Sequence, residues 1–211
     1  MKCFYNPPLI IKKFFSGFCW TTVNNRVLLT FDDGPIPETT PLILDELDRF
    51  NIKSLFFCIG NNIRKNPELA AEILRRGHLI GNHTFNHKRI TCLGHDEFIK
   101  EVRSVNELLL KELNYKAEYF RPPHGRFSFT TGKNLKQEGL KNIMWSLLTF
   151  DYKNNLNIVK FAVREYLRAD SIIVLHDSLK SKDIIIESIS TIYEEAGRKG
   201  CQFGEPRECL K

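Results

Sequence analysis

Short apolar runs alternate with longer amphipathic segments along most of the chain. Apolar runs of strand length predict β-strands over residues 26–31, 54–59, 78–81, 142–147 and 171–175. Apolar positions that recur every three or four residues predict helices over residues 39–50, 67–76, 95–113, 129–138, 157–168 and 183–196. Strands that alternate with helices in this way predict βα units and a mainly parallel sheet, which places the chain in the α/β class.

The domain organisation follows from length and continuity. A chain of 211 residues is long enough to bury a sizeable core as one domain. No repeat, low-complexity tract or linker interrupts the alternation of strands and helices. We therefore predict a single domain over residues 26–211, preceded by an N-terminal extension over residues 1–25 that packs on it.

Charge and cysteine content change this picture little. The net charge is +6, but Lys and Arg are scattered, which predicts a solvated surface rather than a nucleic-acid site. The six cysteines show no CxxC spacing, so a zinc ribbon is excluded, and Cys58 is expected to pack in the core. Reduced thiols are expected, although Cys201 and Cys209 would pair in an oxidising compartment.

The N-terminal residues lack the pattern of a secretory signal. Lys12 and Lys13 interrupt the apolar residues, and no small-residue cleavage site follows. No apolar run reaches the length of a transmembrane helix. These features predict a cytoplasmic protein with no integral membrane segment, or an extracytoplasmic one if a leader has been removed.

Residues suited to chemistry follow the carboxyl ends of the predicted strands. In parallel α/β folds the catalytic loops converge at that end of the sheet, so these side chains are expected to lie together. They are Asp32, Asp33, His83, His87, Arg121, Asp151 and His176.

Asp33, His83 and His87 predict a site for a divalent metal. The spacing of four places both imidazoles on one face of a helical turn, or close together in a tight loop. Two imidazoles and one carboxylate leave a coordination position open for water, which is typical of catalytic rather than structural sites.

The neighbouring polar residues suit acid–base chemistry on such a water. Asp32 is the expected general base, and Arg121 would keep its carboxylate ionised. His176 is the expected general acid, which must protonate the departing nitrogen of an amide. A carboxylate partner favours the protonated imidazole, and Asp151 is the expected partner.

The loop over residues 121–125 is expected to help to hold an oxyanion. Its two prolines, Pro122 and Pro123, have no N–H, so the His124 N–H is the expected donor, with Gly125 beside it. Trp145, Tyr152 and Leu175 are candidates for the pocket walls, while core packing explains Trp145 equally well.

In order along residues 26–178, these motifs resemble the five motifs of polysaccharide deacetylases of the NodB-homology type, carbohydrate esterase family four. The matching stretches are residues 30–34, 83–87, 121–125, Asp151 and 175–177. The resemblance assigns the same base, ligands and acid as above. It also implies that Arg121 positions the base, that Asp151 tunes His176, and that Leu175 lines the acetyl pocket.

The same resemblance implies a distorted (β/α) barrel of about seven strands. It implies hydrolysis of acetyl groups, mainly N-acetyl, on a glycan such as chitin oligomers or peptidoglycan sugars. Zinc is the expected metal, with cobalt, nickel or manganese as alternatives. An acetylated glycan is the expected partner, nucleic acid is not, and a monomer is expected.

The fourth motif departs from the family pattern, since Leu148 replaces an Asp and Tyr152 replaces a Trp. His124 stands where Tyr is common, and the tail over residues 201–206 lacks the usual apolar closing strand. These departures leave open a weak or inactive glycan-binding protein.

Other metal enzymes are the further alternatives. An amidase of the same superfamily acting on a small cyclic amide also remains open. A zinc peptidase is disfavoured, because Thr84 stands where that motif needs Glu. An iron oxygenase would give no role to Asp32, Arg121 or His176.

Overall fold

The structure is a computed structural model that describes residues 4–211. Its strands in this range are β1 (Leu28–Asp33), β2 (Leu55–Cys58), β3 (Leu79–Asn82), β4 (Tyr119–Phe120), β5 (Lys141–Asn142), β6 (Leu147–Leu148) and β7 (Ile172–His176). All of them pair in parallel in the order β5-β4-β3-β2-β1-β7-β6 and curl into a half-barrel. The predicted α/β barrel of about seven strands is confirmed.

Helices follow most of the strands and cover the outside of the sheet. They are α1 (Leu9–Phe14), α2 (Thr40–Arg49), α3 (Gly60–Lys65), α4 (Pro67–Arg75), α5 (His95–Leu113), α6 (Thr131–Gln137), α7 (Leu156–Tyr166), α8 (Ile185–Arg198) and α9 (Pro206–Cys209). Among the helices of residues 4–211, none is both long enough and apolar enough to cross a membrane.

The two faces of the sheet bury different sets of residues. On β1, Leu29 and Phe31 pack in the large cluster that contains the apolar sides of the helices. Leu28 points the other way, into a smaller inner cluster with apolar residues of β2 and β7. Because strand side chains alternate, Thr30 and Asp32 share the inner face with Leu28. The inner face therefore changes from apolar to polar towards the carboxyl ends of the strands.

The prediction of one strand over residues 142–147 is wrong. The structure has β5 and β6 there, at opposite edges of the sheet. The residues between them cross the inner side of the half-barrel, where Ile143 joins the inner apolar cluster. This run is apolar because it is buried where it crosses the inner side of the sheet. Its apolar character alone therefore could not show that it connects two different strands.

The other predictions differ from the structure mainly at the ends of elements. The α5 prediction is confirmed at both ends, and Gly77, with φ of +80°, follows the end of α4. The sequence analysis missed α1, α3, α9 and β4, which are all of six residues or fewer. Elements this short have too few residues to show a period.

The N-terminal segment contacts the barrel. The Cys19 N–H donates to the Asn142 carbonyl at 2.9 Å, and the Thr22 N–H donates to the Asp170 carbonyl at 2.9 Å. The extension over residues 1–25 stays a prediction, and residues 1–3 lie outside the described range. The five cysteines in the described range are free thiols.

Candidate active site

The predicted site residues meet at the carboxyl ends of the strands, around a cavity of about 260 Å³. Those that line it are Asp32, Asp33, His83, His87, His124, Gly125, Trp145, Tyr152 and His176. Arg121 and Asp151 are fully buried behind it, each bonded to a lining residue. Pro123 and Leu175 lie outside its lining. Val174, and not the predicted Leu175, lines the cavity, because Leu175 packs in the outer cluster.

Asp33, His83 and His87 form a compact set of ligands. Their ligand atoms all lie within 4.8 Å of one another. Asp33 Oδ1 is 3.7 Å from His83 Nε2 and 3.3 Å from His87 Nε2. Ligands at roughly 2.1 Å around a tetrahedral zinc ion would be about 3.4 Å apart. The spacing of the three side chains therefore fits a divalent metal.

Protonation also favours metal binding. His83 Nδ1 lies 2.7 Å from the Arg121 carbonyl oxygen, which can only accept, so this nitrogen carries the proton and Nε2 keeps its lone pair. Burial lowers the pKa of both His83 and His87 to about 4, although nearby carboxylates oppose the shift. Both rings are thus neutral near pH 7, as ligands must be.

The histidine pair lies on a tight loop and not on a helix. Thr84 and His87 have φ of +64° and +55°, which a helix does not allow. Asn82 Oδ1 accepts from the Thr84 N–H at 2.9 Å, and Glu101 on α5 accepts from the Asn86 N–H and side-chain amide at 2.7 and 2.6 Å. Of the two arrangements that the spacing left open, the loop is confirmed.

Asp32 is ionised by a buried partner. Its Oδ1 accepts from Arg121 Nη1 at 2.7 Å, and both side chains are almost wholly buried. Burial would raise the pKa of Asp32, but Arg121, with His83 and His176, lowers it below its usual value. Asp32 Oδ2 lies 4.0 Å from His83 Nε2. An ionised carboxylate therefore stands directly beside the three ligands.

The surroundings of His176 raise its pKa, whereas those of Asp32 lower the pKa of that carboxyl. Its Nδ1 lies 2.8 Å from Asp151 Oδ1, and its backbone N–H donates to Asp151 Oδ2 at 2.7 Å. Thr149 Oγ1 also donates to Asp151 Oδ1, at 3.0 Å. Burial would lower the pKa of His176, but Asp151, helped by Asp33 and Asp32, raises it to about 9. The imidazole is thus protonated at neutral pH.

The loop with His124 forms one side of the cavity. His124 and Gly125 have φ of +58° and +62°. A Cβ at Gly125 would lie 2.2 Å from the Trp145 ring, so glycine lets that ring rest on the loop. The His124 ring lies edge-on to His87, with centroids 4.6 Å apart.

Comparisons with known proteins agree with this arrangement. A family model described as polysaccharide deacetylase matches residues 21–143, more than half of the chain. The chain belongs to the polysaccharide deacetylase family. A Bacillus cereus peptidoglycan-N-acetylglucosamine deacetylase is 34% identical over 143 residues, which are 68% of this chain and 52% of that protein. The chain thus spans about half the length of that relative.

Further matches to the polysaccharide deacetylase family extend over nearly the whole length of both chains. Another Bacillus cereus peptidoglycan-N-acetylglucosamine deacetylase is 30% identical over 91% of this chain and 92% of its own length. The crystal structure of the Bc1960 peptidoglycan N-acetylglucosamine deacetylase superposes with a TM-score of 0.88, at 26% identity and 96% coverage of both chains. Members of the family depend on a divalent metal, and the three-ligand set fits that requirement.

Two departures from the polysaccharide deacetylase pattern lie in the wall of the cavity. Leu148 and Tyr152 both line it, and the Tyr152 ring contacts His176 edge-on at 4.9 Å between centroids. The Asp151–His176 pair itself is intact. These substitutions therefore alter the shape and polarity of the pocket and leave the acid–base residues in place.

The sequence analysis assigned no role to three residues in or beside this site. Glu101 holds the loop of residues 83–87. The sequence does contain a sign of this role, because Glu101 is an acidic residue within the apolar stripe of α5. Asp177 is buried, and its carboxylate accepts from the hydroxyls of Thr39 and Thr40. Lys180 lines the cavity, and nothing in the local sequence distinguishes it from other surface lysines.

Proposed function

We propose that the chain is a metal-dependent hydrolase that removes acetyl groups, mainly N-acetyl groups, from a glycan such as peptidoglycan sugars or chitin oligomers. The observation that carries this proposal is the convergence of three features in one cavity. They are the Asp33, His83 and His87 ligand set, an ionised Asp32 and a protonated His176. The names of the curated relatives support the choice of glycan.

Asp33, His83 and His87 would hold the divalent metal, for which we propose zinc, with cobalt, nickel or manganese as substitutes. When bound, the metal supplies a Lewis acid that polarises the acetyl carbonyl and makes water more acidic. Asp32 accepts the proton of the attacking water, since its carboxylate is ionised and lies beside the ligands. Arg121 keeps Asp32 ionised and fixes its orientation.

His176 completes the reaction from the neighbouring strand. It donates a proton to the amide nitrogen, so the sugar leaves as an amine and the acetyl group as acetate. Asp151 keeps the imidazole protonated and fixes the ring through its bond to Nδ1. The His124 N–H is the proposed donor to the developing oxyanion. Trp145 and Tyr152 are the proposed walls against which the sugar packs.

The test is release of acetate from N-acetylglucosamine oligomers and peptidoglycan fragments by the purified protein as a monomer. We expect release with zinc or cobalt, loss after chelation, and recovery when metal is restored. The variant Asp32→Asn should slow release by roughly a hundredfold or more, because it removes the general base. The matched control Asp96→Asn changes an exposed carboxylate outside the cavity lining and should have no effect.

A glycan-binding protein without activity is the second candidate, because Leu148 and Tyr152 alter the wall of the cavity. It predicts measurable binding of the same oligomers and no acetate under any metal. Equal acetate release by the parent and Asp32→Asn would contradict the roles proposed here.

A further inference from the structure

Lys180 is a positively charged residue of the cavity that the proposed reaction does not use. It lies in the turn after β7 and lines the cavity beside His176 and Tyr152. Among residues 4–211, its ammonium group has no carboxylate within ion-pair distance and no hydrogen-bond acceptor.

The turn that presents Lys180 is held firmly. The buried Ser181 hydroxyl donates to the His176 carbonyl at 2.5 Å and to the Ser178 carbonyl at 3.0 Å. The Ser181 N–H also donates to the Ser178 carbonyl at 3.0 Å. Because this turn is bonded to the backbone of His176, the backbone of Lys180 keeps a fixed place relative to the proposed acid.

The other charges of the cavity are already balanced. The carboxylate of Asp32 is paired with Arg121, and His176 is paired with Asp151. Asp33 belongs to the metal ligand set, where a divalent ion would outweigh its single charge. No carboxylate of the lining lies within ion-pair distance of the Lys180 ammonium group.

We propose that Lys180 binds a carboxylate of the substrate, carried on or beside the sugar whose acetyl group enters the cavity. The inference rests on the proposed function and narrows its substrate class to acidic acetylated glycans. N-acetylmuramic acid has the required chemistry. Its lactyl group ends in a carboxylate and is attached to the ring carbon next to the one that bears the acetamido group. Chitin oligomers have no carboxylate and would leave Lys180 unpaired.

The test compares two tetrasaccharides of N-acetylglucosamine and N-acetylmuramic acid. One has free lactyl carboxylates, and in the other they are converted to neutral methyl amides. We expect the zinc-loaded parent to favour the free carboxylate roughly fivefold, both in kcat/KM for acetate release and in Kd by calorimetry. The preference should shrink at high salt, because the charge pair is partly exposed.

Three variants separate this role from a general effect of charge. Lys180→Met should abolish the preference, and Lys180→Arg should keep it. Lys182→Met removes an exposed lysine two residues away, outside the cavity lining, and should also keep it.

The two measurements, Kd and acetate release, distinguish failure of this inference from failure of the proposed function. Equal or unmeasurable affinity of the parent for both tetrasaccharides, or an undiminished preference in Lys180→Met, would overturn the inference. A preference in Kd without acetate release from either tetrasaccharide would refute the proposed function and leave carboxylate recognition standing.

Discussion

Asp32 and His176 are directly opposite each other in the register of two neighbouring strands, β1 and β7. Their surroundings nevertheless push their proton affinities apart. Arg121 favours the ionised form of Asp32, and Asp151 favours the protonated form of His176. A base and an acid therefore coexist in one cavity at neutral pH, as acid–base catalysis requires.

The first prediction concerns Asp151. Because Asp151 raises the pKa of His176 to about 9, the acid stays protonated up to that range, and activity falls as the pH rises through it. In Asp151→Asn the imidazole loses its carboxylate, and burial then lowers its pKa. The alkaline limb of the kcat/KM profile should move to lower pH by a unit or more.

Asp96→Asn is the control for this profile, since Asp96 is exposed and lies outside the cavity lining. A lower maximal rate in Asp151→Asn with an unmoved alkaline limb would mean that Asp151 only supports the structure. The informative measurement is thus the pH at which kcat/KM falls on the alkaline side, rather than the maximal rate.

At the scale of elements, sequence periodicity predicted most long helices and the central strands, because each buries one regular face. It did not find β4 or separate β5 from β6, since strands of two residues leave no period. The site residues were predictable because Asp32, His83 and His176 each lie at or directly after the carboxyl end of a strand. Glu101 reaches the site through tertiary contacts, which local pattern does not encode, whereas Lys180 follows His176 by four residues in a turn that shows no pattern of its own.

The second prediction concerns the loop of residues 83–87. The ligands come from the last residue of β1 and from the loop after β3, so a bound metal joins these two segments. Zinc at about a hundred times its Kd should stabilise the fold by about 2.7 kcal/mol. Thermal unfolding with zinc should therefore occur roughly 5–10 °C higher than with chelator.

His87→Ala removes one ligand and should abolish most of this shift. His95→Ala is the matched control, because His95 is an exposed histidine at the start of α5 outside the ligand set. An equal shift in both variants would place the metal elsewhere in the protein.

The third prediction concerns Asp177, which joins three elements. Its carboxylate accepts from Thr39 and Thr40 at the start of α2, and its N–H donates to the Asp32 carbonyl at 2.8 Å. A Cβ at Gly34 would overlap the Asp177 carboxylate, so this glycine permits the close approach. Burial raises the pKa of Asp177 to about 7, although the two hydroxyl donors oppose the shift.

The raised pKa sets the sign of a pH effect on stability. Between about pH 4 and pH 7 the folded protein keeps a proton on Asp177 that the unfolded chain has released. The contribution of Asp177 to the free energy of unfolding should therefore fall as the pH rises through this window, by an amount of order 4 kcal/mol in the metal-free protein, while the lowered pKa values of His83 and His87 act in the opposite sense in parent and variant alike.

Asp177→Asn should remove this fall, because its amide does not titrate but can still pair with the threonines. Urea unfolding from pH 4 to 8 with chelator measures it. Asp96→Asn, at an exposed position, should leave the fall unchanged. The same pH dependence in Asp177→Asn and the parent would contradict the assignment.

At the scale of the whole molecule, the half-barrel depends on one buried guanidinium. Arg121 Nε and Nη2 donate to the carbonyls of Ile143 and Met144 at 3.0 and 2.9 Å, in the run that crosses the inner side. Its Nη1 donates to Thr30 and Asp32 on β1, both at 2.7 Å. The group thus ties β4, β1 and the crossing run together at the base of the cavity.

The last prediction follows from this position. Arg121→Met would leave Asp32 as a buried charge without its partner and two carbonyls without a donor, so the free energy of unfolding should fall by about 3–5 kcal/mol. Arg121→Lys keeps the charge but not the planar fork, and should lose part of that stability and most of the activity. Arg103→Met breaks an exposed pair with Glu138 and should cost less than about 1 kcal/mol. Urea unfolding distinguishes these variants, and equal losses for Arg121→Met and Arg103→Met would show that the crossing is held by apolar packing alone.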